Sequence, residues 1–209
     1  MKRLICTAII LAMVIVYFEN KSQETDLNQE WNLILVNDYY YLPEEYTVDL
    51  WELQNGEKID ARIYPYLQEM MDAAEEDNIY MCVADGYRSM EMQQEVMKNK
   101  VLWYVQDGMW EPFARMKAKR WVAEPGTSEH HLGLAVDLNA EENNSTWEVY
   151  NWLAYNAYEY GFIQRYPEDK TRITGINYEP WHYRFVGIEA ATEIYEKDIC
   201  LEEYLDSLK

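Results

Sequence analysis

The chain's three histidines lie in two short segments that could together hold a catalytic metal ion. His130 and His131 precede Asp137 in one segment, and His182 follows Glu179 in the other. Catalytic zinc usually takes three protein ligands from His, Asp and Glu, and it keeps a fourth position for a water whose pKa falls towards about 7. Because the two segments supply such ligands and a further carboxylate, we predict a zinc hydrolase site.

Asp137 is the only charged residue between Gly133 and Leu138, where the other residues are small or apolar. This pattern predicts a buried strand. A buried carboxylate without a partner is costly, so Asp137 needs a cation or strong hydrogen-bond donors, and a metal ion meets that need. His130 lies before this strand, and a turn at Gly133 would let both side chains reach one metal.

The second segment, Tyr178 to Val186, is rich in aromatic and β-branched residues and also predicts a strand. In a regular strand Glu179 and His182 would point to opposite faces, because their separation is odd. Pro180 lies between them and makes a regular ladder improbable at that point. A kink at Pro180 would let the carboxylate and the imidazole approach one metal from different directions.

Three motifs stand in the order that a known enzyme family shows. They are Gly86-Tyr87-Arg88-Ser89 with Gln93, then Ser128-x-His130-x-x-Gly133-x-Ala135-x-Asp137, then Glu179-Pro180-Trp181-His182. With these motifs the chain resembles the VanY-type D-alanyl-D-alanine carboxypeptidases from about residue 35 to residue 205. The resemblance implies that His130, Asp137 and His182 bind one zinc ion and that Glu179 is the general base.

The resemblance also implies that Arg88 stabilises the oxyanion and helps to hold the substrate, with Ser128 and Gln93 nearby. The chemistry agrees, since a guanidinium stays charged and offers several donors in a planar fork. Without the motif, Arg88 would be interpreted as a surface ion-pair partner and Gln93 as an exposed helix residue. His131 occupies a variable position of its motif, so we expect it to line the site or face solvent rather than bind the metal. Ser89 is best interpreted as a helix cap.

The activity implied by the resemblance is removal of the terminal D-Ala from peptidoglycan stem peptides that end in D-Ala-D-Ala. A D-Ala-D-Ala dipeptidase or a peptidoglycan endopeptidase could use the same site. The implied fold is shared with the hedgehog signalling domain, so a zinc-containing cell-wall binding module is the alternative outside the enzymes. The presence of Glu179 favours an enzyme, because a binding module needs no base.

The N-terminus predicts where the protein works. A basic pair, Lys2 and Arg3, precedes 15 uncharged residues from Leu4 to Phe18. This pattern predicts a signal or membrane anchor over residues 1–18, followed by a polar linker over 19–30 and one catalytic domain over 31–209. We therefore expect an extracytoplasmic protein, anchored to the bacterial cytoplasmic membrane or secreted, and we expect a monomer.

Composition limits the partners and the redox chemistry. The 38 acidic and 18 basic residues give a formal net charge of −20, which disfavours nucleic acid as a partner. The aromatic content of 15% predicts an aromatic-lined cleft in addition to an aromatic core. Cys82 and Cys200 are the only cysteines outside the leader, and two isolated thiols are a simpler interpretation than a disulfide.

The remaining pattern predicts an α+β fold, with a small, mainly antiparallel sheet flanked by helices. Strands are expected at 79–84 and 162–165 in addition to the two site segments. Helices are expected over 59–78 with a kink or late start at Pro65, and over 90–106, 112–122, 147–160 and 188–196. A capping box at Ser145 and Glu148 should begin the fourth of these helices, and Gly161 should end it.

Overall fold

A four-stranded antiparallel sheet forms the centre of the computed structural model, which describes residues 22–141 and 143–209. Its strands, in spatial order, are β5 (Met81–Asp85), β6 (Ala135–Ala140), β8 (His182–Phe185) and β7 (Phe162–Gln164). Two small sheets lie outside it: β1 (Gln23–Glu24) pairs with β2 (Tyr40–Tyr41), and β3 (Leu50–Glu52) pairs with β4 (Lys58–Asp60). The predicted α+β fold class is confirmed.

Helices surround this sheet, and most of them were predicted. They are α1 (Tyr64–Glu76), α2 (Met90–Gln106), α3 (Glu111–Ala118), α4 (Thr146–Asn156), α5 (Thr171–Thr174), α6 (Ile188–Lys197) and α7 (Leu201–Ser207), with 3-10 turns at Glu129–Leu132, Ala157–Tyr160 and Glu168–Lys170. Ser89 caps α2 by accepting a hydrogen bond from the Met92 amide, and Pro65 lies in the first turn of α1. The capping box at Ser145 and Glu148 is present. The short helix α5 and the final helix α7 were not predicted.

The strand register places three polar residues side by side at one end of the sheet. Asp85 on β5 lies opposite Asp137 on β6, and Asp137 lies opposite His182 on β8. Residues directly opposite each other in neighbouring strands share a face of the sheet. The three side chains therefore form a row across β5, β6 and β8.

The residues of β6 alternate between the main hydrophobic core and this polar row. Val136 and Leu138 are fully buried in the main core, which also contains residues of α1 and α4. Asp137 lies between them and so points to the opposite side of the sheet. Smaller clusters stabilise the surroundings: one packs α6 and α7 against Ile163 and Val186, and another packs α2 against α3.

Two predictions concern the N-terminal part of the chain, which lies partly outside the described residues. The leader over residues 1–18 falls outside them, and none of the described helices has both the length and the apolar character needed to cross a membrane. Within the segment that was predicted to be a polar linker, Gln23 and Glu24 pair with β2.

Cys82 and Cys200 are both free thiols, in line with the simpler interpretation of the sequence.

Candidate metal centre and active site

A tight turn brings the first candidate ligand to the polar row. His130 lies in the 3-10 turn before β6, and Gly133 ends that turn with φ of 69°. A Cβ atom on Gly133 would lie 2.8 Å from the backbone nitrogen of Asp60, so this position requires glycine for space as well as for conformation. The turn that the sequence predicted at Gly133 is present, and it brings His130 next to Asp137.

The three candidate ligands converge. His130, Asp137 and His182 each offer one ligand atom, and these atoms all lie within 4.8 Å of one another. Asp137 Oδ1 lies 3.6 Å from His130 Nε2 and 2.9 Å from His182 Nδ1. Two imidazole nitrogens and one carboxylate oxygen are a donor set that suits zinc, so the residues present fit the predicted ion.

Burial and neighbouring charge shift the pKa values of these three groups in different directions. Burial and Arg88 lower the pKa of His130 to about 3. Burial also lowers the pKa of His182, but the neighbouring carboxylates of Asp137 and Glu129 outweigh it and raise the value to about 9. Burial raises the pKa of Asp137, while the two histidines and Arg88 hold it at about 2. Asp137 is thus a carboxylate at neutral pH, as a metal ligand must be.

Glu179 lies beside this group in a turn rather than in a strand. The His182 amide donates to the Glu179 carbonyl over 3.2 Å, and β8 begins only at His182. The strand predicted from Tyr178 is therefore shorter than expected, because the chain turns at Pro180. As a result Glu179 Oε2 lies 3.9 Å from His182 Nδ1. Burial raises the pKa of Glu179 to about 7, which suits a general base near neutral pH.

Arg88 enters the site from the loop between β5 and α2. Its Nε donates to both carboxylate oxygens of Asp85 over 3.0 Å, and its Nη1 donates to Gln93 Oε1 over 2.9 Å. Its Nη2 lies 3.0 Å from Asp85 Oδ2 and 3.6 Å from Asp137 Oδ2. The side chain is 12% exposed, so this arginine is neither a free surface group nor a fully buried one.

Gln93 is wholly buried, contrary to the exposed alternative, and its amide is occupied by protein groups. It accepts from Arg88 and donates to the Ala123 carbonyl over 2.7 Å. Gln93 lines the cleft, as the resemblance implied. Its two hydrogen bonds connect Arg88 to the backbone at Ala123.

His131 has a structural role, and the expectation that it would line the site or face solvent is wrong. Its Nδ1 lies 2.6 Å from the Arg88 carbonyl, and its Nε2 accepts from the Gly126 amide over 3.1 Å. Both ring nitrogens are thus used by the backbone. The imidazole ties the loop that carries Arg88 to the loop before Ser128.

A cleft of about 330 Å³ opens in front of these groups. Ser128 lines it together with Arg88 and Glu179. Its remaining wall is largely aromatic and apolar, formed by Trp103, Tyr104, Trp121, Tyr166, Ile176 and Trp181, with Lys100 as a further cation. The predicted aromatic-lined cleft is present.

Two charged residues of the site were not assigned a role from the sequence. Asp85 holds Arg88, and Glu129 lies fully buried behind His182, with its Oε2 3.9 Å from His182 Nε2. Asp85 belonged to a predicted turn, and Glu129 occupied a variable position of the first zinc motif. For Asp85 the available signal was a charge directly after the apolar stretch 79–84, whereas Glu129 lies among polar residues and had no such signal.

Comparisons with known proteins identify similar sequences and structures. A family model described as VanY, D-alanyl-D-alanine carboxypeptidase, matches residues 56–188. A D-alanyl-D-alanine carboxypeptidase from Enterococcus faecalis is 56% identical over 189 residues, which cover 90% of this chain and 70% of that protein.

Two solved structures are similar in both sequence and fold. VanYB in complex with D-alanine-D-alanine is 56% identical with a TM-score of 0.85, and the match covers 86% of this chain and 100% of that one. A variant of the D,D-pentapeptidase VanY from a VanB-type vancomycin resistance cassette, in complex with Zn(II), is 57% identical with a TM-score of 0.83. That match covers 84% of this chain and 99% of the other.

The matched residues include all three motifs that carried the resemblance, and the similarity extends over the whole sheet. The predicted activity, zinc-dependent carboxypeptidase action, and the predicted cofactor are thereby confirmed. The chain belongs to the VanY family of D-alanyl-D-alanine carboxypeptidases.

Proposed function

We propose that His130, Asp137 and His182 hold the zinc ion and that Glu179 is the general base for removal of the terminal D-Ala from peptidoglycan stem peptides. The observation that carries this assignment is the convergence of the three ligand atoms within 4.8 Å. Glu179 lies at the edge of that group, 3.9 Å from His182 Nδ1. The site thus has three ligands and one separate carboxylate, which is the set that metal-assisted amide hydrolysis needs.

When bound, zinc supplies Lewis acidity, which polarises the scissile carbonyl and makes water a better nucleophile near neutral pH. Glu179 takes the proton of the attacking water and then delivers it to the departing amine. A carboxyl pKa of about 7 suits both halves of this task, because the group gives and takes a proton with equal ease near that pH.

Arg88 stabilises negative charge in the cleft. A guanidinium has five N–H donors, and in the described part of the chain three of them bond to Asp85 and Gln93. The other two remain for the oxyanion of the reacting carbonyl and for the terminal carboxylate of the substrate. Ser128 lines the same cleft and offers a hydroxyl to that carboxylate.

We propose that this reaction takes place outside the cytoplasmic membrane, where peptidoglycan stem peptides are exposed. The basic pair and apolar run over residues 1–18 support anchoring to the membrane. Membrane fractionation tests the anchor: the full chain should sediment with membranes, and a chain starting at residue 22 should be soluble. Recovery of both forms in the soluble fraction would contradict the membrane anchor.

One set of assays tests the substrate. The purified protein is incubated with a pentapeptide ending in D-Ala-D-Ala, with the free dipeptide and with a crosslinked muropeptide. We expect release of D-Ala from the pentapeptide, loss of that release with a chelator and its recovery with added zinc. Preferred cleavage of the free dipeptide or of the crosslink would replace carboxypeptidase with dipeptidase or endopeptidase. Activity that survives complete removal of metal would contradict the zinc assignment.

A further inference from the structure

A carboxylate is buried directly behind the candidate zinc ligands, on the side away from the cleft. Glu129 is 1% exposed and immediately precedes His130 in the chain. Two arginines surround it, Arg165 on the chain that follows β7 and Arg184 on β8, and both are at most 1% exposed. Burying three charged groups together is costly unless each one is paired.

The two oxygens of Glu129 have different surroundings. Oε1 accepts from Arg165 Nε over 2.8 Å and lies 3.0 Å from Arg184 Nη1. Oε2 faces His182 Nε2 over 3.9 Å. Oε2 and His182 Nε2 are among the few buried side-chain atoms of the described residues that have no hydrogen-bond partner. The arginines thus account for one oxygen and leave the other directed at the imidazole.

Leaving a buried donor and a buried acceptor unpaired is costly, because each has lost its hydrogen bonds to water. Here the two unpaired atoms face each other, and a movement of about 1 Å would bring them to ordinary hydrogen-bond distance. Such a bond fixes the proton of His182 on Nε2. The lone pair of Nδ1, which lies 2.9 Å from Asp137 Oδ1, is then directed into the ligand group.

We infer that Glu129 is a positioning residue for zinc binding: its Oε2 accepts the Nε2 proton of His182 and thereby presents Nδ1 to the metal. The inference rests on the proposed zinc site, because it needs His182 to be a ligand. Ligating histidines generally donate their second ring N–H to a carboxylate or a carbonyl, which sets both the tautomer and the ring orientation.

The other ligand histidine is held in the opposite way. His130 Nδ1 lies 2.6 Å from the Gly86 carbonyl, so this ring donates from Nδ1 and presents Nε2. The two histidines therefore bind through different ring nitrogens, one held by a backbone carbonyl and the other by a buried carboxylate. Because a side chain holds only His182, only the hydrogen bond of His182 can be removed by a substitution.

The alternative is that Glu129 serves only to neutralise Arg165 and Arg184. Glu202 provides a matched control, because it also bonds Arg165, over 2.6 Å from Oε1 to Nη2, and its hydrogen bonds and ion pairs within the described residues go to Arg165 and Asn37, not to the imidazole. Glu129→Gln and Glu202→Gln each remove one negative charge from the same arginine. Only Glu129→Gln replaces the acceptor that faces His182 Nε2.

Zinc affinity separates the two explanations. We expect Glu129→Gln to weaken zinc binding by roughly 10- to 100-fold, the usual effect of removing the hydrogen-bond partner of a metal ligand. Glu202→Gln should leave zinc affinity within about threefold of the wild-type value. Competition with a chromophoric chelator measures all three constants, and circular dichroism of the metal-free proteins verifies folding. Equal losses in the two variants, or no loss in a folded Glu129→Gln variant, would overturn the inference.

A second measurement needs no variant and covers the case in which Glu129→Gln does not fold. The chain contains only three histidines, so ¹⁵N-labelled imidazoles give a simple spectrum. In the zinc-loaded full chain we expect His182 to be protonated on Nε2 and His130 on Nδ1. Observation of His182 protonated on Nδ1 would overturn the inference. Failure of the wild-type chain to bind one equivalent of zinc, or unchanged affinity in His182→Ala, would instead contradict the proposed zinc site itself.

Discussion

The candidate zinc site lies between one arginine on the cleft side and two on the far side, and the two sides differ in how many arginine N–H groups the protein itself uses. On the cleft side Arg88 is 12% exposed and retains N–H groups that Asp85 and Gln93 do not use. On the far side Arg165 and Arg184 are fully buried among Glu129, Glu202 and backbone carbonyls. A cation that keeps free donors beside a cleft can bind an anion, whereas a cation that is fully paired can only hold its partners in place. Under the proposed assignment, arginine thus serves substrate binding on the cleft side and ligand geometry on the far side.

The largest effect should come from the base, which belongs to the cleft side. Glu179→Gln removes the proton acceptor but none of the three ligands, so we expect kcat to fall by about 10²- to 10⁴-fold while zinc remains bound. Release of D-Ala and metal content measure the two quantities. Glu168→Gln is a matched control on the nearby loop, because Glu168 is exposed, and it should retain wild-type turnover. A Glu179→Gln variant with full activity would show that the base is a different group.

A substitution on the far side should lower the stability of the fold. Arg184→Met removes one of the two buried cations beside Glu129. It also removes the hydrogen bonds that Arg184 Nη2 donates to the backbone carbonyls of Asn32 and Ile34. Removing one partner of a buried ion pair costs about 3–5 kcal/mol. We expect a loss of that size in the free energy of unfolding, measured by urea denaturation. Arg172→Met, at an exposed arginine, should change stability by less than about 0.5 kcal/mol.

Arg88→Lys tests whether the cleft-side cation behaves differently. Lysine keeps the charge but cannot bond Asp85 and Gln93 together and still present two donors to the cleft. We expect kcat/KM to fall by about 10²- to 10³-fold, with a change in unfolding free energy of less than about 1 kcal/mol. If Arg88→Lys were instead as unstable as Arg184→Met and fully active, the contrast between the two sides would be wrong.

The sequence predicted the cleft side much better than the far side, and distance along the chain explains why. Ser89 caps α2 locally, and the predicted helix bounds, 90–106, are those observed. The turn at Gly133 and the alternation in β6 are also local, so the spacing showed that His130 and Asp137 could reach one metal, and the resemblance implied that they bind it.

The missed features depend on contacts between distant parts of the chain. Glu129 meets Arg165 across 36 positions, and Gln93 meets Ala123 across 30. No periodicity in a sequence indicates which buried polar groups will satisfy one another over such separations. The late start of β8 had a local signal in Pro180, but the signal predicted a kink without fixing where the ladder would begin.

The smallest expected difference between the two sides is in their dependence on pH: activity should fall on acidification before stability does. Burial raises the pKa of Glu179 to about 7, so the base is lost as pH falls below that value. A bound divalent cation lowers the pKa of a nearby carboxyl, and the acid limb of activity should therefore lie at or below pH 7. Below the limb, kcat/KM should fall about tenfold for each pH unit.

The pKa of Glu129 is shifted in the opposite direction to that of Glu179. Burial raises its pKa, but Arg165 and Arg184 outweigh burial and hold that pKa well below the usual range. A carboxyl with a lowered folded pKa contributes stability above its ordinary pKa of 4.5, and that contribution is lost only as pH falls further. At pH 5 the activity should thus be reduced while the protein stays fully folded, and full activity should return on neutralisation. Parallel profiles of D-Ala release, bound zinc and circular dichroism measure this, and unfolding that coincides with the loss of activity would show that the two sides titrate as one unit.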